Sequence, residues 1–268
     1  MIASVKPSAG SPTGTPLAIH LTMDSPGYII LSRLSSQLRA QSLAAHNLAN
    51  ADTPGFRATR PVFAEHPAMQ RAGHHPRGGR EVDYSWDRAS WRDQRQGPIT
   101  RTGNPLDVAL AGEGYFALET PRGERFTRAG RFTIGADGRL LDHAGHAVLN
   151  QAGNPIAISP GDSNIQIRGD GSIRSDNGEI GKLRVVRFAN DQALRAEGDR
   201  LFDAAGQQPE QVLQPGVVQG AVEGSNVQSI TELTRMMAEV REFQFATQFA
   251  EREGERIQTA VERILRRR

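Results

Sequence analysis

The chain has 268 residues, with 32 Lys+Arg against 30 Asp+Glu and a formal net charge of +2. So small a basic surplus does not call for a nucleic-acid partner. It contains no cysteine, which excludes disulfides, thiolate metal sites and cysteine nucleophiles. Hydrophobic residues make up 37% and aromatics 6%, and the mean hydropathy is −0.49. That lean composition fits an elongated protein with small cores better than one large compact core. No run approaches the roughly 18 apolar residues of a membrane span, so no membrane insertion is expected.

Residues 1–22 are rich in Ser, Pro, Gly and Thr and read as a disordered tail. They lack the apolar segment of a cleaved secretory signal. Residues 23–57 form the next unit. Ser25 and Pro26 make an N-cap and N1 pair. Leu31, Leu34, Leu38, Ala45 and Leu48 then recur at spacings of three and four, with Gln41 filling the gap. This is an a/d-like seam over about three heptads, with Arg33, Ser36, Arg39 and Ser42 opposite. A lone helix cannot bury so narrow a seam, so a partner helix or the protein's own core must cover it. Asn47, Leu48 and Asn50 lie on the last turn, where the amides both donate and accept hydrogen bonds. Thr53-Pro54-Gly55-Phe56 fits a type II turn, and Thr53, preceding Pro, ends the helix near Asn50. On physics alone this is an ordinary helix end followed by a turn.

Residues 58–98 read as an irregular linker, broken by Pro61, Pro67, Pro76 and Pro98 and slackened by Gly78-Gly79. His66, His74 and His75 lack the framing partners of a metal site. Trp86 and Trp91 read as packing anchors. From Ile99 the period changes to two. Leu106–Leu110 alternates, and turn pairs such as Asp137-Gly138, Ala144-Gly145 and Asp170-Gly171 follow at short intervals. Residues 99–213 therefore read as an all-β middle domain, a sandwich or barrel. Leu183–Phe188 is its clearest strand.

Residues 214–268 hold an entry loop and a long helix. Ser229 and Glu232 fit a capping box. Ile230, Leu233, Met237, Val240, Phe243, Ala250, Ile257, Val261 and Ile264 recur at helical spacing over about nine turns. Arg263, Arg266, Arg267 and Arg268 suit the negative end of the helix dipole. The fold class expected is α+β: helical termini pairing in a coiled-coil-like bundle, with a β middle.

A catalytic set does not emerge. The acids Asp107 with Glu113 and Asp137 with Asp142 sit in turns, where Asp serves local hydrogen bonding. Asp142, His143 and His146 share a hairpin, but no G-x-S-x-G accompanies them. Gly112-x-Gly114 lacks the third glycine and the Lys-Ser/Thr pair of a phosphate loop. No cofactor, metal, small-molecule substrate or catalytic residue is expected. Two classes remain: a self-assembling structural subunit, or a monomeric β-rich enzyme or binding domain with helical extensions.

Terminal seams that need partners favour the first, as does the absence of a catalytic set, and three ordered motifs add a resemblance. NLANADTPGFR, through Asn47, Asn50, Thr53, Gly55, Phe56 and Arg57, resembles the N-terminal signature of the flagellar rod, hook and hook-cap-junction family. Pro54 departs mildly from it. The middle resembles the same family through Leu106, Asp107, Gly112, Gly114, Phe116, Thr127, Arg128, Gly130, Phe132, Gly138, Leu140 and Gly145. GAVEGSNV resembles its C-terminal entry through Glu223, Ser225, Asn226 and Val227. The resemblance spans nearly all of residues 23–265, and family members begin close to the first helix, which makes Met23 a candidate start. Length and the Met-Asp-Ser-Pro opening resemble the proximal rod type, with the distal type as runner-up. The resemblance implies a structural subunit of the periplasmic rod, exported by the flagellar type III apparatus without a cleaved signal. Its partners would be other rod subunits and itself. Assembly would use Leu31, Leu34, Leu38, Asn47, Leu48, Asn50, Gly55 and Phe56 at the N-terminal end. At the C-terminal end it would use Ser225, Asn226, Ile230, Leu233, Met237, Val240, Ile257 and Val261.

Overall fold

A computed structural model describes residues 25–70 and 80–266. A helix stands near each end: α1 (Ser25–Ala49) and α2 (Ser229–Leu265). Between them lies a β-rich middle, so the protein is α+β. The helices run antiparallel and touch. Gln37 Nε2 donates to Glu242 Oε2 at 3.3 Å, and Arg33 lies 3.8 Å from the same carboxylate.

The seam expected on α1 is not the face that packs. The buried residues are Ser36, Gln37, Ala40, Ala44 and Asn47. Small and amide side chains let a neighbouring backbone approach closely. Ser36, expected on the solvent side, also donates to Ser32 C=O one turn back. Leu31 and Leu38 are 64% and 52% exposed. The leucines formed the more regular pattern, but periodicity does not say which face the chain itself covers.

Residues 59–70 and 80–92, expected as irregular, form the antiparallel strands β1 (Thr59–Gln70) and β2 (Arg80–Arg92). A two-stranded ribbon has two open edges, and these tolerate prolines such as Pro61 and Pro67. α1 lies against this ribbon. Trp91, expected as an anchor, is 43% exposed. The side chains of Trp86 and His66, and residues His74 and His75, lie outside the described residues.

The short strands β3 (Ile99–Arg101) and β4 (Val108–Leu110) precede β5 (Tyr115–Thr120) and β6 (Gly123–Thr127). β5 and β6 form a hairpin with Phe116 opposite Thr127 and Thr120 opposite Gly123. β5 is central, pairing also with Ala147–Val148 and with Val185–Arg187. Both its faces are buried. Phe116 and Leu118 enter one apolar cluster with Val108, Phe132, Ile173 and Val185. Tyr115 and Ala117 enter a second with Phe126, Phe188 and Phe202. That is why Tyr-Phe-Ala-Leu is a continuous apolar run, not an alternation.

The β module continues past 213. Val217 pairs with Leu110, and Ala221 with Arg101. Those partners lie about a hundred residues upstream, so turn signals could not show them. Glu223 is thus the last residue of a strand directly before the turn into α2.

α2 has 37 residues, a length of about 55 Å. Glu232 is its only buried residue among those described. A helix held by so little burial depends on what covers it. In dilute subunits we expect weak amide protection over 24–50 and 229–265, against strong protection in β5 and β6. Hydrogen exchange read by mass spectrometry checks this; equal protection in α2 and β5 would refute it.

Candidate functional site

The root of the two helices is where distant stretches meet. Asn47 ends the buried face of α1. Its Nδ2 donates to Thr59 C=O and its Oδ1 accepts from Thr59 N–H, both at 2.9 Å. One amide thereby satisfies both groups of a strand-edge residue. Asn50 works locally, donating to His46 C=O and accepting from the Thr53 hydroxyl.

The turn at 53–56 closes as expected, with Phe56 N–H on Thr53 C=O at 3.2 Å and Gly55 at φ +70°. Gly55 N–H donates to Glu223 C=O at 2.8 Å. A Cβ there would lie 2.7 Å from Ala129 N and from Arg128 C. Glycine is therefore required twice, for its left-handed backbone and for close approach. Phe56 stands edge-on to His46 with centroids 5.4 Å apart.

Asn226 ties the other ends to this turn. Its Oδ1 accepts from Ala58 N–H at 2.7 Å, and its Nδ2 donates to Asp93 and Arg95 carbonyls. Its own N–H reaches Phe56 C=O. Ser225 is buried, and its hydroxyl accepts from Val227 N–H.

Beneath lies a buried ion pair. Arg128 and Glu223 are each 1% exposed, with Arg128 Nε and Nη2 both 2.8 Å from Glu223 Oε2. Arg128 Nη1 also donates to the carbonyls of Gly112 and Gly114 at 2.8 and 2.6 Å. The glycine pair thus serves an arginine, not a phosphate. Burial lowers the Arg128 pKa, and the Glu223 charge opposes that. The guanidinium stays charged, and its carboxylate and carbonyl partners offset the desolvation.

Two further arginines enter from the α1 side. Arg57 is buried and donates to Gln94 and to the Tyr115 hydroxyl. Tyr115 donates onward to Asp191 at 3.0 Å. Burial pushes the Tyr115 pKa up to about 12, so the hydroxyl remains a donor. Arg60 reaches Glu232 at 2.6 Å. This corrects the capping box expected from Ser229 and Glu232. Gln228 is the N-cap without a side-chain cap bond, and Glu232 is buried against Arg60 instead. A partner 172 residues away outcompetes a local cap worth about 1 kcal/mol.

The remaining assembly candidates stay uncovered or partly covered. Leu31, Leu34 and Leu38, with Leu43 and Phe243, line an open groove of about 860 Å³. Ile230, Leu233, Met237, Ile257 and Val261 are exposed, Ile230 by 83%. Leu48 and Val240 are half-buried. Sequence reasoning missed the pairings Arg128–Glu223 and Arg60–Glu232. Arg128 and Glu223 did stand in the matched motifs, but nothing local links residues 95 positions apart. Among the described residues no group of three His, Asp or Glu is placed to hold a metal. No described helix is long and apolar enough to cross a membrane.

Family models meet the chain at these same stretches. "Flagella basal body rod protein" matches residues 28–57, "Flagellar hook protein FlgE/F/G D1 domain" 109–175, and "Flagellar basal body rod FlgEFG protein C-terminal" 218–263. The flagellar basal-body rod protein FlgF of Caulobacter vibrioides is 32% identical over 247 residues, covering 90% of this chain and 98% of that relative. The chain belongs to the flagellar basal-body rod protein family. FlgF of Escherichia coli is 32% identical over 238 residues, covering 83% of the chain and 91% of the relative. FlgG of Caulobacter vibrioides is 28% identical over 236 residues. The rod protein is thus of the FlgF type, with FlgG the runner-up.

In this rod protein, breaking the buried pair by Glu223→Ala should cost about 3–5 kcal/mol. Gly55→Ala should also destabilise, by about 1–3 kcal/mol from backbone strain alone. Denaturant unfolding measures both. Hydrogen bonds from Arg95 hold the Asp93 carboxyl below the usual carboxylate range. Its contribution is therefore present above a pH of about 4. It is lost as pH falls through the lower folded value. Asp93→Asn should flatten the acid limb of the stability curve; an unchanged limb would remove Asp93 from the account.

Proposed function

We propose that the chain is a structural subunit of the flagellar rod that polymerises through its terminal helices. The observation that carries this is α2: a 37-residue helix with one buried residue and an apolar stripe facing solvent. The leucine groove on α1 is a second uncovered apolar surface. Both stripes lie on helices, so a coiled-coil-like bundle with neighbouring subunits would bury them. The junction of buried ion pairs gives that helical stalk a rigid mount on the β module. Such a mount suits a shaft that transmits torque.

The partners in this reading are further copies and other rod subunits, as the names of the relatives suggest. Location in the periplasmic part of the basal body, and delivery through the flagellar export apparatus, belong to the same reading. So does the absence of a catalytic role: several acids of the β module are taken up by turns or by arginines, as Glu223 is by Arg128. Asp142, for example, accepts from Ala144 and His146 N–H.

Leu34→Asp and Val240→Asp test it. Each would place an unpaired carboxylate in the buried bundle, costing several kcal/mol. Rod assembly and swimming should be lost while the thermal transition of the β module persists. Motile cells carrying Leu34→Asp would refute helix packing as the mechanism.

A further inference from the structure

A cleft of about 590 Å³ opens between the signature turn and the loop 196–202. His46, Phe56, His143, Arg200, Phe202 and Arg92 line it, and Asp52 and Asp199 stand at the same walls. Arg92 is committed: it donates to the carbonyls of Asp191 and Leu194 and lies over the Phe202 ring at 4.5 Å. Arg57 is turned to Gln94, Tyr115 and Asp191.

Arg200 differs. It is half-buried, and among the described residues no carboxylate lies within ion-pair distance. The acids that influence it are Asp142 and Asp199. Asp142 is occupied by the backbone of Ala144 and His146 and by the His146 ring. Asp199 and Arg200 both hold left-handed backbone, at φ +45° and +63°. Two successive non-glycine residues in that region cost free energy, and a tight turn with Leu201 N–H on Gly198 C=O keeps them there. The Thr127 hydroxyl fixes Arg200 from behind through its carbonyl at 2.9 Å. Desolvation lowers the pKa of both Arg200 and the nearby His143.

Half-buried and with no carboxylate at ion-pair distance among the described residues, the Arg200 guanidinium is only weakly offset by Asp142 and Asp199, and a bound anion in direct contact would compensate it further. We propose that this cleft binds a carboxylate, with Arg200 as its main donor, His143 beside it, and the Phe56 and Phe202 rings as apolar walls. The carboxylate is either a free organic acid or an acidic side chain from a second copy of the chain. The proposed donors and walls, Arg200, His143, Phe56 and Phe202, all lie outside the helical stretches expected to be weakly protected in dilute protein.

Citrate, a soluble carboxylate, is the probe. It is titrated into dilute full chain by calorimetry, with sodium chloride at matched ionic strength as control. We expect saturable binding that weakens about tenfold in Arg200→Gln, the loss of one charge-assisted hydrogen-bonding group. Arg200→Lys should retain part of it. The β-module melting temperature of both variants should stay within about 2 °C of the parent, because the side chain makes no fold-holding bond. Absent saturation, or equal affinity in Arg200→Gln, would overturn the proposal. Sedimentation of concentrated protein then assigns the source. If a second copy supplies the carboxylate, citrate and Arg200→Gln both weaken self-association. If a free acid is the ligand, self-association is unchanged while citrate binding remains.

Discussion

The Arg128–Glu223 pair is the contact on which the rest of the architecture depends. Two opposite charges, each 1% exposed, lie just after β6 inside the β module and at the end of the last strand before α2. Leaving either alone would strand a buried charge, so the two segments have to arrive together. The carbonyls of Gly112 and Gly114 and the Gly97 N–H complete the coordination. Gly55 then packs onto Arg128 and Ala129 and bonds Glu223 through the backbone. The N-terminal turn, the middle of the β module and the C-terminal entry are locked in one place.

From that lock the chain divides physically. On one side the β module buries two apolar clusters on the two faces of β5 and is held by ordinary core packing. On the other side the helices bury little beyond small and amide residues on α1 and one glutamate on α2. Arg60–Glu232 extends the ionic lock one turn into α2, and no described residue of α2 beyond it is buried. A subunit built this way carries its stability in the module and its unsatisfied apolar surface in the stalk. That division would suit the proposed polymerisation through helices, because the surface to be covered is kept apart from the module's core.

Much of this was legible in the sequence, because it rests on local rules. Pro54-Gly55 announces a turn that the structure contains. The spacing of apolar residues over 229–265 announces a helix, and α2 occupies that range. The density of turn pairs such as Asp137-Gly138 and Asp170-Gly171 announces short strands. The ordered motifs also carried the family, which the relatives bear out. Where local rules misled, a long-range partner decided the outcome. Pro-containing 59–92 was read as irregular, yet its two strands satisfy each other. Glu232 was read as a cap, yet Arg60 takes it.

Composition, periodicity and turn chemistry alone determined that the chain has helical ends, a β-rich middle and little core for its length. Those features follow from each residue's own backbone and burial preferences, which act over a few positions. The tertiary structure alone decided which face of α1 is covered, where the β module ends and which charges are buried. The leucine stripe and the Ser36–Ala40–Ala44 stripe have the same helical period, so only the position of the ribbon and α2 distinguishes them. Arg128 and Glu223 are unremarkable surface-type residues until a fold brings them within 2.8 Å of each other and removes the water. Burial is a property of neighbours, and for these residues the neighbours are about a hundred positions away.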